Sequence, residues 1–139
     1  IYGIREDKNY WEECIALIKA LPKNVHAKYC GELKPNQVLD IFSKYDAFLF
    51  PTRGENFGHV IYESMATGCF PIISDQTPWR GEGIFVNSLD DIEGFRIDIE
   101  KFIKMDDEEY KSYRLRSIER AESSYKSTIR NSGYKVVFE

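Results

Sequence analysis

The chain has no excess of basic charge. Its 139 residues hold 19 Lys and Arg against 23 Asp and Glu, a formal net charge of −4. A nucleic-acid surface needs a basic stripe to neutralise phosphates, and an anionic lipid surface needs the same. Both partner classes are therefore disfavoured. Apolar runs are short, and none approaches the roughly 20 residues needed to span a bilayer as a helix. Cysteine is scarce: Cys14, Cys30 and Cys69 are odd in number, far apart, and form no Cys-x-x-Cys pair. That spacing suits neither a disulfide framework nor a metal site, so three reduced core thiols in a cytoplasmic protein are expected. No Asp-x-Asp metal motif occurs. No signal-peptide pattern opens the chain. It starts at Ile1 and runs directly into the strand-like Ile1-Tyr2-Gly3. The expectation is an excerpt whose natural start lies upstream.

What is present suits one soluble domain. Hydrophobic residues make up 42% and charged residues 30%. A chain of this length buries about two-thirds of its unfolded surface and needs no staples. Strand and helix signals alternate up to Val86. Ile1-Tyr2-Gly3 reads as a strand, and Asn9 to Leu21 as a helix stopped by Pro22. Val25 to Cys30 reads as a strand closed by Gly31, and Pro35 to Tyr45 as a helix. Ala47-Phe48-Leu49-Phe50 is almost wholly apolar and predicts a strand buried on both faces. A helix over about Phe57 to Thr67 ends at Gly68. Phe70 to Ser74 and Ile84 to Val86 complete the strands. From Leu89 the pattern becomes helical. Leu89, Ile92, Phe95, Ile99, Phe102 and Ile103 mark one helix, and Asp106 caps a longer, charged one. The reading is an α/β fold: a Rossmann-like, doubly wound parallel sheet flanked by helices. Residues 1–139 form one domain, with 1–86 the α/β core and 87–139 the helical part.

Chemistry concentrates between Pro51 and Gly68, where a buried strand opens through a loop into a helix. In open parallel sheets, ligands bind outside the carboxyl ends of the strands. Unpaired N–H groups at a helix start attract anions, and Gly58 lets a ligand approach the backbone. Glu55 sits in the loop, and Glu63 lies about two turns into the helix. At 1.5 Å per residue they stand roughly 10 Å apart along the axis. Each carboxylate could hold a diol, with a diphosphate over the N–H groups between them. The plainer alternatives stay open: Glu55 as a charge complementing the helix dipole, Glu63 as an exposed helix residue. His59 is either a phosphate contact or polar surface. Trp79, in the loop Ser74 to Trp79, either stacks on a sugar or acceptor or is buried under the last helices.

These residues resemble a known family. Glu55-Asn56-Phe57-Gly58, then Glu63-Ser64-Met65-Ala66-Thr67-Gly68-Cys69-Phe70-Pro71-Ile72-Ile73-Ser74, are similar to the E-x7-E motif of family-4 (group 1) retaining glycosyltransferases of GT-B fold. Lys28-Tyr29-Cys30-Gly31-Glu32-Leu33 resembles the loop bordering the base. Tyr45-Asp46-Ala47-Phe48-Leu49-Phe50-Pro51 resembles the strand before the motif. The resemblance runs from Ile1 to about Val86 and points to the C-terminal, donor-binding half. It implies a nucleotide-sugar donor, a glycan or lipid-linked acceptor, and transfer with retention. It implies that Glu55 is the catalytic-site residue on the sugar hydroxyls and that Glu63 binds the ribose. Amides near Phe57, Gly58 and His59 would meet the sugar and diphosphate, Asn56 lies within the binding motif, and Gly31 and Leu33 lie beside the base. No bound metal or cofactor is implied. The setting implied is the bacterial cytoplasm, with the inner face of the membrane as an alternative for the full-length enzyme in polysaccharide or glycolipid synthesis.

The family pattern also carries a first strand with a basic pair, which this sequence lacks. Arg53 and Arg80 do not stand at those positions. The missing strand would lie between Ile1-Tyr2-Gly3 and Phe48-Leu49-Phe50. The isolated chain is thus expected to pair those two strands directly or to self-associate, with little transferase activity. The rivals are a non-catalytic nucleotide-sugar or protein-binding Rossmann-like domain and a nucleotide-sugar epimerase.

Overall fold

The computed structural model describes residues 1–132, with side chains described to Ser127. The chain divides into two compact units, Ile1–Gln37 and the residues from Val38 onward. In the first, helix α1 spans Lys8–Lys19, and the Asp7 carboxylate caps it by accepting from the Tyr10 N–H. Ile1 N donates to Lys28 O at 2.7 Å, and Cys30 N donates to Ile1 O at 2.8 Å. This is the parallel pattern, centred on Ile1 and Tyr29. It goes no further as a ladder, because Gly3 turns to φ +131 and bonds to Gly31 O instead. The two strands expected here are therefore short extended pieces. The Arg5 guanidinium sits 4.8 Å from the Tyr29 ring centre, and Trp11 packs on the same ring.

The helix expected over Pro35 to Tyr45 is divided. Pro35–Gln37 is a 3-10 turn, and α2 spans only Val38–Phe42. The Ser43 hydroxyl donates back to Asp40 O, a local bond that competes with helix continuation.

The second unit contains β1 (Ala47–Phe50), α3 (His59–Ala66), β2 (Phe70–Ser74), β3 (Phe85–Asn87), α4 (Ile92–Ile103) and α5 (Asp107–Ser132). Its sheet is parallel throughout, in the order β1-β2-β3. Register pairs Phe50, Ile73 and Val86 across one face, and Leu49, Ile72 and Phe85 across the other. The pleat sends alternate residues to opposite sides. Phe48, Phe50, Ile73 and Val86 accordingly pack with Ile61 and Met65 of α3 and Ala121 of α5. Phe70, Ile72 and Phe85 pack with Phe95, Ile99 and Phe102 of α4 and Tyr113 of α5. The result is helix, sheet and helix in three layers.

All five residues of β2 are buried. Strand β1 is not buried on both faces as expected, because Leu49 remains 50% exposed. It lies on the α4 side at the sheet edge, and α4 packs against β2 and β3. Among the described residues of the second unit, β1 pairs with β2 alone.

Helix α5 begins where expected, with the Asp106 carboxylate accepting from the N–H groups of Glu108 and Glu109. Its first turn is acidic, which complements the helix dipole. It is not simply a solvated face, since Ser117 and Ala121 are buried. The Ser117 hydroxyl donates to Gly83 O at 2.5 Å. Backbone meets backbone there: a Cβ on Gly83 would stand 2.7 Å from Arg116 O.

Only one of the three thiols is in the core. All are free, Cys69 is buried, Cys14 is half-buried and Cys30 is exposed. Burial pushes the Cys69 thiol up to about 12, so it stays protonated at neutral pH. No helix among the described residues is long and apolar enough to cross a membrane.

The sheet's unequal burial has a measurable consequence. Phe70→Ala removes a ring packed against Phe85, Phe102 and Tyr113 and is expected to cost about 3–5 kcal/mol in urea unfolding. Leu49→Ala at the exposed edge is expected to cost about 1 kcal/mol or less. Equal losses would contradict the burial described.

Candidate functional site

Strands β1 and β2 end side by side, and each opens into a loop. Residues 51–58 lead from β1 to α3, and residues 75–84 lead from β2 to β3. Three hydrogen bonds tie the loops together. The Ser74 hydroxyl donates to Thr52 O at 2.5 Å, Glu55 N donates to Gln76 O at 3.1 Å, and the Trp79 indole N–H donates to Phe57 O at 2.6 Å. The second loop is braced from within. The Arg80 guanidinium donates to the carbonyls of Asp75, Thr77 and Trp79. From α5, Arg120 donates to Arg80 O. Asp75 N bonds to Asn87 O, and the Asp75 carboxylate accepts from Leu89 N and the Gln76 amide.

The first loop delivers α3 through Gly58, which has φ 76 and ψ 60 and offers no side-chain cap. Gly58 O accepts from the N–H groups of Ile61 and Tyr62. The N–H groups of Gly58, His59 and Val60 have no acceptor among the described residues. They form a cluster of unpaired donors at a helix start, where the dipole favours an anion.

Helix α3 starts at His59, two residues later than expected. The rise of 1.5 Å per residue therefore applies only from His59 to Glu63 and not back to Glu55, which the loop places separately. Glu55 and Glu63 are both half-buried. Neither carboxylate has a side-chain hydrogen bond or ion pair among the described residues. Both remain partly open to solvent.

The other residues singled out in the sequence divide as follows. Asn56 and Phe57 are exposed on the loop, and Gly58, the cap of α3, is a buried residue. His59 is exposed, with its ring 4.8 Å from that of Phe57. Gly31, at φ +84, and Leu33 belong to the first unit. Trp79 is 5% exposed and packs with Ile61, Met65, Ile84 and Ala121. Of its two readings, burial under the last helices is the one found. Arg80 spends its guanidinium on loop carbonyls, while Arg53 stays exposed. The contributions of Ser74, Asp75 and Gln76 as loop ties were not read from sequence, because hydrogen bonds from polar residues to distant backbone leave no periodic signal.

A groove of about 500 Å³ lies at the other end of β1, lined by Tyr45, Asp46, Phe102, Met105 and Tyr110. Its Tyr110 hydroxyl is already paired with Asp46 at 2.7 Å. It lies at the amino end of β1, whereas open parallel sheets bind ligands at the carboxyl ends.

The family profile described as "Glycosyl transferases group 1" matches residues 1–114. The chain belongs to this family. No curated protein matches the chain. The motif that carried the resemblance, Glu55 to Ser74, lies within the matched residues and includes the loop and helix start just described.

Gly58 is the most constrained point of the site. A Cβ there would stand 2.9 Å from Ile61 Cδ1 and 3.3 Å from Trp79 Nε1, in a conformation costly for any L-residue. Gly58→Ala is expected to lower unfolding stability by about 1–3 kcal/mol. Gly54→Ala, where a Cβ meets nothing within 4 Å, is expected to change it by less than about 0.5 kcal/mol. Similar urea midpoints for the two variants would contradict this.

Proposed function

We propose that this group 1 glycosyltransferase domain binds the donor, a nucleotide-activated sugar, for transfer with retention to a glycan or lipid-linked acceptor. The observation carrying the reading is the set of three unpaired amides at the start of α3 with an unpartnered, half-buried carboxylate on either side. In the proposed pose the diphosphate lies over the N–H groups of Gly58, His59 and Val60. Glu63 accepts the ribose hydroxyls, and Glu55 accepts the sugar hydroxyls. Asn56 and Phe57 stand along the sugar side.

The chemistry asked of this half is electrostatic. As the glycosidic bond to the diphosphate breaks, negative charge grows on the leaving group. Fixed N–H dipoles meet that charge without having to reorganise. Hydrolytic use of the two carboxylates is disfavoured, because acid and base in such enzymes flank one bond from opposing elements. Here one carboxylate follows the other along a single loop and helix. The same reading includes a cytoplasmic setting and self-association through the outer edge of β1, whose backbone groups form no ladder among the described residues.

Glu63→Ala is expected to weaken nucleoside diphosphate and nucleotide sugar alike, by about 1–3 kcal/mol for a lost charged hydrogen bond. Glu55→Gln is expected to leave nucleoside diphosphate binding intact and to reduce transfer by the full-length enzyme. Calorimetry with a panel of nucleoside diphosphates, and sugar-release assays, read both. Unchanged nucleotide affinity in Glu63→Ala would remove the ribose role. Normal turnover in Glu55→Gln would return that residue to a helix-start charge.

A further inference from the structure

Trp79 lies outside the motif that led to the site, and its aromatic face is not available to a ligand because it is 5% exposed. Its single polar atom nevertheless reaches the site. The indole N–H donates to Phe57 O at 2.6 Å across 22 positions of chain. That carbonyl belongs to the peptide joining Phe57 to Gly58. A trans peptide is planar, and its C=O and N–H point in opposite directions. With the carbonyl held against the buried indole, the Gly58 N–H is directed away from it, and this N–H has no acceptor among the described residues. Gly58 is the residue most able to tolerate a flipped peptide, since glycine enters positive and negative φ at similar cost. Left to itself, the 57–58 peptide would have little reason to keep one orientation.

The surroundings of the indole support the same role. Its ring meets the Phe57 ring edge to face, with centroids 5.6 Å apart, and packs with Ile61 and Met65 of α3 and Ala121 of α5. The residue after it is fixed too, because Arg80 donates to Trp79 O while Arg120 donates to Arg80 O. The indole is thus anchored by α5 and by the loop after β2, and it fixes a peptide in the loop after β1.

Resting on the donor-site reading above, we propose that Trp79 is a positioning residue for the diphosphate. It acts by setting the orientation of the Phe57–Gly58 peptide, and so the direction of the Gly58 N–H at the start of α3. It touches no substrate atom.

The test is Trp79→Phe, which keeps an aromatic ring and deletes the N–H. Ile84→Val is the control for general loosening, since Ile84 shares the same core cluster and makes no hydrogen bond to the Phe57–Gly58 peptide. Binding of uridine and guanosine diphosphates, and of the corresponding nucleosides, is followed in 15N–1H spectra of the chain. The expected result is a loss of about tenfold in diphosphate affinity, the scale of one well-placed hydrogen bond, with nucleoside affinity unchanged and the free Gly58 amide resonance displaced. Ile84→Val is expected to leave both the affinity ratio and that resonance in place. Equal diphosphate affinity in Trp79→Phe and parent would overturn the inference while leaving the donor-site reading intact. So would parallel losses for diphosphate and nucleoside, which mark a structural role only. A parent chain that binds neither diphosphate would sink the donor-site reading itself, and this inference with it.

Discussion

Strand β2 must be covered on both faces and paired on both edges, and the second unit is arranged around that requirement. Its five residues, Phe70 to Ser74, are all buried. Backbone N–H and C=O groups in such a place need partners, which β1 and β3 supply in parallel register. A parallel pair needs a crossover between its strands, and α3 provides it between β1 and β2. The two apolar faces of the sheet then require separate covers. Ile73 is closed over by α3 and α5, while Phe70 and Ile72 are closed over by α4. For β2 only the strand ends then remain uncovered, and the carboxyl ends of β1 and β2 are where the loops carrying Glu55 and Trp79 emerge.

On the proposed donor-site reading, the charge at that end is unusual for an anion site. The net charge is −4, two carboxylates flank the helix start, and the guanidinium of Arg80 in the neighbouring loop is spent on carbonyls. In the proposed pose, attraction for a phosphate comes mainly from neutral N–H donors and the dipole of α3, worth about 0.3–1 kcal/mol for an exposed charge. Such a site depends on donor direction more than on charge. On that reading the hydrogen bonds that join Ser74, Gln76 and Trp79 to the first loop matter, because they hold its backbone groups in place.

The parts of this arrangement that were legible in the sequence are those with periodic or steric signatures. Phe70 to Ser74 reads as a strand because Phe70 to Ile73 are continuously apolar, and Asp106 reads as a cap because acidic residues follow it. Gly58 and Gly68 bracket α3 because each adopts a positive φ. The failures have physical causes. Leu49 looks as buried as its neighbours, but burial of an edge residue depends on how far the covering helix extends, which composition does not encode. Ile1-Tyr2-Gly3 and Val25 to Cys30 have strand-like residues, yet their pairing ends after a few hydrogen bonds as Gly3 turns away. Trp79 was ambiguous because a tryptophan serves equally well as a platform or as core. Its bond to Phe57 O, which decides the matter, joins positions 22 apart in the chain.

The central claim is that the start of α3 is an anion-binding donor site, and one titration tests it directly. Amide resonances of the 15N-labelled chain are followed as nucleoside diphosphates are added. The account predicts the largest displacements at Gly58, His59 and Val60, with smaller ones around Glu63 and none in the groove of Phe102, Met105 and Tyr110. Displacements centred on that groove, with the amides of residues 58–60 unmoved, would contradict it.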